Sequence, residues 1–169
     1  MKSRHLADLR ASEIAEHITD QAIFVLPVGA VEQHGSHLPL STDLLIAESC
    51  AESVVAERGD ELDLWLLPSL PYTKSNEHAW CSGTIWLGPQ TMLALLDDIG
   101  RSIAQTRGRK IVFINGHGGN TSLLNMACRE LRLSHGLMTF LMHPSVPPDH
   151  GGVASADEDG MGIHGGKEE

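Results

Sequence analysis

"AIFVLPVGAVEQHGSHLPLSTD", residues 22–43, changes character twice, and those changes set the fold. Residues 22–28 are a continuous apolar run of strand length, the pattern of a strand buried on both faces. The next stretch is polar and carries two glycines and a proline, which rules out an amphipathic helix. From Asp43 the spacing turns helical: "DLLIAESCAESVVAERG" (43–59) opens on an acidic first turn and is expected to stop at Gly59. Strand, polar loop, helix is the repeating unit of an α/β sheet.

The same alternation continues along the chain. "LDLWLLPSLPY" (62–72) reads as a strand ending on prolines. "PQTMLALLDDIGRSIAQTRG" (89–108) reads as a helix with Pro89 at its start and Gly108 at its end. "KIVFIN" (110–115) is another buried strand, followed by the turn "GHGGN". "TSLLNMACRELRLSHG" (121–136) is a helix closed by Gly136, and "LMTFLMH" (137–143) a further strand. Ahead of the first strand, "SEIAEHIT" (12–19) predicts a short helix capped by Ser12, and the tail from Pro144 reads as loop. Together these predict an α/β protein: a three-layer αβα sandwich with a largely parallel sheet.

Composition narrows the function. A chain of 169 residues is long enough for one domain with a substantial core. A formal net charge of -10 argues against a nucleic-acid surface, which needs clustered Lys and Arg. No apolar run is long enough to span a bilayer, and the N-terminal stretch lacks the apolar core of a signal peptide. Cys50, Cys81 and Cys128 are odd in number and lack metal-type spacing, which favours reduced thiols in a cytoplasmic protein.

Two polar clusters, 29–43 and 115–120, each follow a predicted strand and precede a predicted helix. In an open α/β sheet both lie at the carboxyl ends of the strands, where ligands bind. In an extended segment Glu32 and His34 project together, with Gln33 opposite. Asp43 enters at the first turn of the next helix, and His117 is flanked by glycines that let the backbone turn sharply. Glu, His, Asp and His without a thiolate suit Zn²⁺, Mn²⁺ or Fe²⁺. Taken singly, each has a plainer reading: a solvated loop pair for Glu32 and His34, a capping residue for His117. "GHGGN" before a helix is also what a phosphate cradle looks like. The four together, on one sheet edge, favour a metal.

"PVGAVEQHGSHLPLSTD" and "INGHGGN" resemble the two signature segments of the creatininase family. "SNEHAWCSGTIWLG" (75–88) is similar to its EH…GT motif, and "GIHGGKEE" (162–169) to its H-[AG]-G-x-x-E-T-S motif, cut off after the Glu. The resemblance implies an αβα fold, a homo-oligomer (often a hexamer) and a centre of two divalent ions. By position it implies Glu32, His34, Asp43 and His117 as metal ligands, with Asp43 bridging. His164 matches the catalytic histidine and Glu169 a glutamate near the centre; His37 is not a ligand. In creatininase itself a ligand glutamate stands two residues after the histidine matched by His117, where this chain has Gly119. That places the resemblance nearer the "NGHGGN" branch, with Glu169 as a source of the missing carboxylate. It also implies a single domain over 1–169, truncated at the C-terminus relative to the family.

The chemistry expected is hydrolysis of a carbon–nitrogen bond in a small-molecule amide, by a metal-activated hydroxide with His164 as proton relay. Within that branch the alternatives are a formamide deformylase of flavin or deazaflavin biosynthesis and a peptidase of cofactor-precursor maturation. A non-catalytic metal- or ligand-binding domain is the alternative from another class. Without the family, His164 reads as a tail histidine. Glu77 and His78 read as substrate-pocket lining or as a hydrogen-bonded turn. Trp80 and Trp86 read as packing residues, the HGG at His150 as loop, and Cys81 as lacking a base to activate it.

Overall fold

The computed structural model describes residues 3–145 and His164. Glu169, His150 and most of the tail expected to be loop lie outside the described residues. The central strand is the apolar run of the opening stretch, β1 (Ile23–Val28). Because side chains alternate across a strand, its apolar residues divide between two faces. Phe24, Leu26 and Val28 face one core with Ile111 and Phe113; Val25 faces the other with Ile114 and Leu64. β1 pairs in parallel with β2 (Leu64–Leu66) on one side and β3 (Lys110–Asn115) on the other, and β3 pairs with β4 (Met138–Met142). The sheet order is β2-β1-β3-β4, entirely parallel.

Pro27 within a doubly paired strand calls for an account, since proline cannot donate to a ladder. Its carbonyl accepts from Leu70 N–H on the β2 side, so its absent N–H would point the same way, past the end of β2 at Leu66. The strand expected over 62–72 is regular for three residues only. Pro68 and Pro71 interrupt it, and the chain then follows β1 through single bonds from Leu67 to Val25 and from Leu70 to Pro27.

The helices cover both faces. α2 (Thr42–Leu62) packs on β1 and β2, burying Ala47, Ala51 and Val55. α3 (Pro89–Ile103) and α4 (Thr121–His135) lie side by side on the other face, so the layers are αβα as predicted. Several ends differ from expectation. α2 runs past Gly59 and stops at Asp63, which takes the left-handed conformation (φ 53°) as C-cap. Asp63 is held there by Arg4, Thr19 and Trp65, all of which donate to its carboxylate. α3 ends at Ile103, five residues before Gly108. The first helix, α1 (Ala11–His17), starts before Ser12: Arg10 is the cap residue, and Glu13 accepts from its N–H at 2.9 Å.

β1 connects outward to β2, whereas β3 lies on its other side, so the strand order reverses between β1 and β3. A crevice opens at the carboxyl ends of strands where order reverses. Two glycines seat α2 over it. A Cβ on Gly29 would lie 2.4 Å from Leu44 Cα, and one on Gly116 would lie 2.1 Å from Asp43 O. The first turn of α2 therefore rests directly on both strand ends. Gly116 is needed for this close approach rather than for a sharp turn; it is not among the glycines with positive φ.

Candidate metal centre

Three pieces of backbone deliver the four expected ligands to that crevice. Glu32 and His34 lie in the loop after β1, Asp43 in the first turn of α2, and His117 in the turn after β3. Their exposures are 0, 0, 1 and 4 %, so none is solvated. Ionisable groups buried this deeply are paired or hold metal, because an isolated charge there is too costly.

The hydrogen bonds decide which nitrogens face inward. His34 Nδ1 lies 3.1 Å from the Glu32 carbonyl oxygen, which can only accept, so this nitrogen carries the proton. Its Nε2 lies 2.9 Å from Asp43 Oδ1. His117 repeats the pattern: Nε2 donates to the Lys74 carbonyl at 3.0 Å, and Nδ1 lies 2.9 Å from Asp43 Oδ2 and 3.3 Å from Glu32 Oε1. Each neutral imidazole thus turns a lone pair toward carboxylate oxygens. That contact is repulsive unless a second proton or a cation lies between.

Both outcomes leave their mark. Burial pushes the His117 ring down, but the Asp43 and Glu32 carboxylates outweigh it and raise its pKa to about 10. Burial likewise raises Asp43, and His117 and His34 outweigh it to hold the carboxyl below its ordinary value. Yet Glu32 Oε1 and Asp43 Oδ2 are buried without an accepted hydrogen bond among the described residues. Imidazole nitrogens and carboxylate oxygens with two orphaned acceptors fit a divalent cation. Ligand atoms of Glu32, Asp43 and His117 lie within 4.8 Å of one another, and so do those of Glu32, His34 and His164. Glu32 is common to both groups, whereas Asp43 sets one oxygen against each of two histidines.

His164 comes into the site rather than standing apart as a tail residue. Its ring centroid is 4.5 Å from that of His34 and 4.4 Å from that of His78. Its Nε2 donates to the Gln33 carbonyl at 2.7 Å, which leaves Nδ1 facing Glu32 Oε1 at 3.6 Å. Glu77 and His78 also reach the cluster. His78 Nε2 lies 3.5 Å from Glu32 Oε1, and Glu77 Oε1 lies 3.4 Å from His117 Nε2. Burial raises the Glu77 carboxyl, but Lys74 at 2.6 Å outweighs it and keeps it ionised.

Several residues were not anticipated. Gln33 was expected to point away; the loop turns instead of staying extended, and its Nε2 lies 3.1 Å from His78 Nδ1 and 3.0 Å from His164 Nε2. Ser75 donates to Glu32 Oε2 from full burial. Asn120 donates to Gly29 O, Thr73 Oγ1 and Asn115 Oδ1 and accepts from Lys74 N–H, binding three loops together. Its place in "GHGGN" was the available signal.

Other expectations resolve against the geometry. His37 is exposed and belongs to neither of the two ligand groups found among the described residues. Trp80 and Trp86, expected to pack, are 74 % and 44 % exposed. A phosphate cradle at "GHGGN" is ruled out by charge: His117 faces Glu32 and Asp43, and Glu77 stands over Gly119, so an anion there would meet carboxylates. A hollow of about 1130 Å³ lies against α4 and β4 between Met126, Arg132 and Phe140 and touches none of these residues.

The mycofactocin precursor peptide peptidase of Mycobacterium tuberculosis is 43 % identical over 114 residues, 64 % of this chain and 45 % of that protein. The creatinine amidohydrolase of Pseudomonas putida is 34 % identical over 127 residues, 70 % of this chain and 47 % of that protein. A mutant creatininase described as of Zn–Zn type superposes with a TM-score of 0.65 at 27 % identity, covering 85 % of this chain and 58 % of that one. The chain therefore spans about half the length of the curated relatives it matches. The family model described as creatinine amidohydrolase matches residues 7–169, and the chain belongs to the creatininase family.

Proposed function

We propose that the protein is a metal-dependent amidohydrolase that cleaves a carbon–nitrogen bond, with a peptide amide as its substrate class. One observation carries the reading: two buried imidazoles spend their protons on backbone carbonyls and turn their other nitrogens onto buried carboxylates, and the oxygens facing His117, Glu32 Oε1 and Asp43 Oδ2, accept no hydrogen bond among the described residues. Glu32, His34, Asp43 and His117 would hold the ion or ions, with Zn²⁺ or Mn²⁺ the first candidates and Fe²⁺ the next. A divalent cation so held supplies Lewis-acid polarisation of a carbonyl and a water acidic enough to ionise near neutral pH.

The residues supply the rest. Asp43, with one oxygen beside each histidine, would hold an ion together with either of them. The leaving nitrogen departs only if protonated, and His164 is the relay: its outer nitrogen is fixed on the Gln33 carbonyl, and its inner Nδ1 takes up and hands on the proton. His78 lines the site beside it, Glu77 stands at the rim, and the family resemblance implies Glu169 as a further carboxylate. The domain acts as a homo-oligomer, with the hexamer that the resemblance implies as the leading candidate.

The identity to a peptidase favours a peptide over a cyclic amide or a formamide. Trp80, exposed two positions after His78, offers an aromatic face for such a chain to lie against. Elemental analysis of the purified protein, followed by hydrolysis assays on peptides, formamides and creatinine, tests the reading. The expected result is at least one transition-metal ion per chain, lost in the His34→Ala/Asp43→Ala variant, with peptide hydrolysis that follows metal content. A protein that takes up no Zn²⁺, Mn²⁺ or Fe²⁺ sinks the enzyme reading. Metal without hydrolysis of any of the three classes would leave a metal-binding domain.

A further inference from the structure

Gly119 has no positive φ, so nothing in its backbone asks for glycine. What asks for it is space. A Cβ at this position would lie 1.7 Å from Glu77 Oε1 and 2.4 Å from His117 Nε2. The volume that a side chain at 119 would fill is taken by a carboxylate arriving from another part of the chain. Glu77 is delivered by the 3-10 turn Asn76–His78 and is tethered by Lys74 Nζ at 2.6 Å. Its other oxygen lies 3.4 Å from His117 Nε2, on the side of the ring facing away from Asp43 and Glu32. The Lys74 carbonyl meets the same nitrogen at 3.0 Å, and Lys74 N–H is itself fixed on Asn120 Oδ1 at 3.2 Å.

We propose that Glu77 is a positioning residue for His117: standing in the space left by Gly119, its carboxylate sets a negative charge beside the outer nitrogen that the Lys74 carbonyl fixes, and so supports the ring with its inner nitrogen toward the metal centre. The proposal rests on the metal-centre reading given above. A ligating histidine is oriented and made more basic by a carboxylate or carbonyl on its other N–H, and losing such a partner weakens metal binding by about 10–100-fold. Here carbonyl and carboxylate act on one nitrogen. The carbonyl sets the tautomer, and the carboxylate adds the negative charge that makes the ring a better donor. Glu77 is thereby moved from substrate contact to support of a ligand.

The test is Zn²⁺ binding to the full chain by isothermal titration calorimetry, with urea unfolding as a check on folding. Glu77→Gln keeps the shape and removes the charge; it is expected to weaken Zn²⁺ binding about 10–100-fold, with Glu77→Asp recovering part of the loss. In a His117→Ala background the same Glu77→Gln change is expected to cost nothing further, because its effect passes through that ring. The ¹⁵N signals of the His117 imidazole in the Zn²⁺-loaded protein are expected to shift in Glu77→Gln. Wild type that binds Zn²⁺ while Glu77→Gln binds equally well would overturn this proposal and leave the metal reading standing. An undiminished Glu77→Gln loss in the His117→Ala background would also overturn it. No Zn²⁺ binding by the wild type would remove both.

Discussion

Glu32 is held by a hydroxyl that no local spacing reveals. Ser75, 43 positions on, is fully buried and donates to Glu32 Oε2, while Oε1 is left open toward the histidines. Removing that donor strands a second oxygen of a buried carboxylate, at a cost of about 1–3 kcal/mol. Ser75→Ala is therefore expected to lower the urea midpoint of the metal-free protein with an unchanged slope. An unchanged midpoint would mean that the hydroxyl does not support Glu32. At this scale the sequence was legible where chemistry shows in residue type: a Glu, two His and an Asp beside glycines declare themselves. Ser75, Gln33 and Asn120 have ordinary side chains whose roles come only from what they meet, and most of those partners lie some 40 to 130 positions away. Gln33 was misplaced because alternation of side chains holds only while a strand continues, and this one had ended at Val28.

The elements themselves were readable because apolar periodicity records burial. β3 matches its expected range, and α4 stops at a glycine with φ 65° as predicted. The ends of α2 and α3 were not readable, since a glycine can serve packing as well as termination. The helix runs on through Gly59, and α3 ends before Gly108, where a Cβ would lie 2.6 Å from Phe24 Cε2, so that glycine packs against β1 instead of closing the helix. The glycines around His117 can be separated by the same test. A Cβ on Gly116 would meet the Asp43 carbonyl at 2.1 Å, and backbone cannot swing aside; one on Gly118 would meet nothing within 4 Å. Gly116→Ala is expected to destabilise by about 1–3 kcal/mol, as overpacking does, and to weaken metal binding by lifting Asp43 off the strand end. Gly118→Ala is expected to do neither. Calorimetric Zn²⁺ titration and urea unfolding of the pair decide it, and equal behaviour of the two variants would contradict the seating of α2 on Gly116.

For the whole molecule, the layer order was legible and the strand order was not. Alternating strands and helices imply helices on both faces, but no local pattern says that β3 returns to the far side of β1. That return makes the crevice, and it brings residues 32, 34, 43, 117 and 164 to one place. The centre therefore joins the β1 loop, the start of α2, the turn after β3 and a residue 131 positions beyond Gln33, which it meets. A metal that binds only when these parts are assembled binds the folded state alone. It then stabilises that state by RT ln(1 + [metal]/Kd), about 2.7 kcal/mol at a free concentration one hundred times Kd. For a chain of this size each kcal/mol moves Tm by about 2–4 °C, so chelation is expected to lower Tm by roughly 5–10 °C from the metal-saturated value. Adding back Zn²⁺ is expected to restore it, and the His34→Ala/Asp43→Ala variant to respond to neither treatment. A Tm indifferent to metal in the wild type would mean that the four buried groups meet for packing alone. A shift that persists in the double variant would place the ion elsewhere.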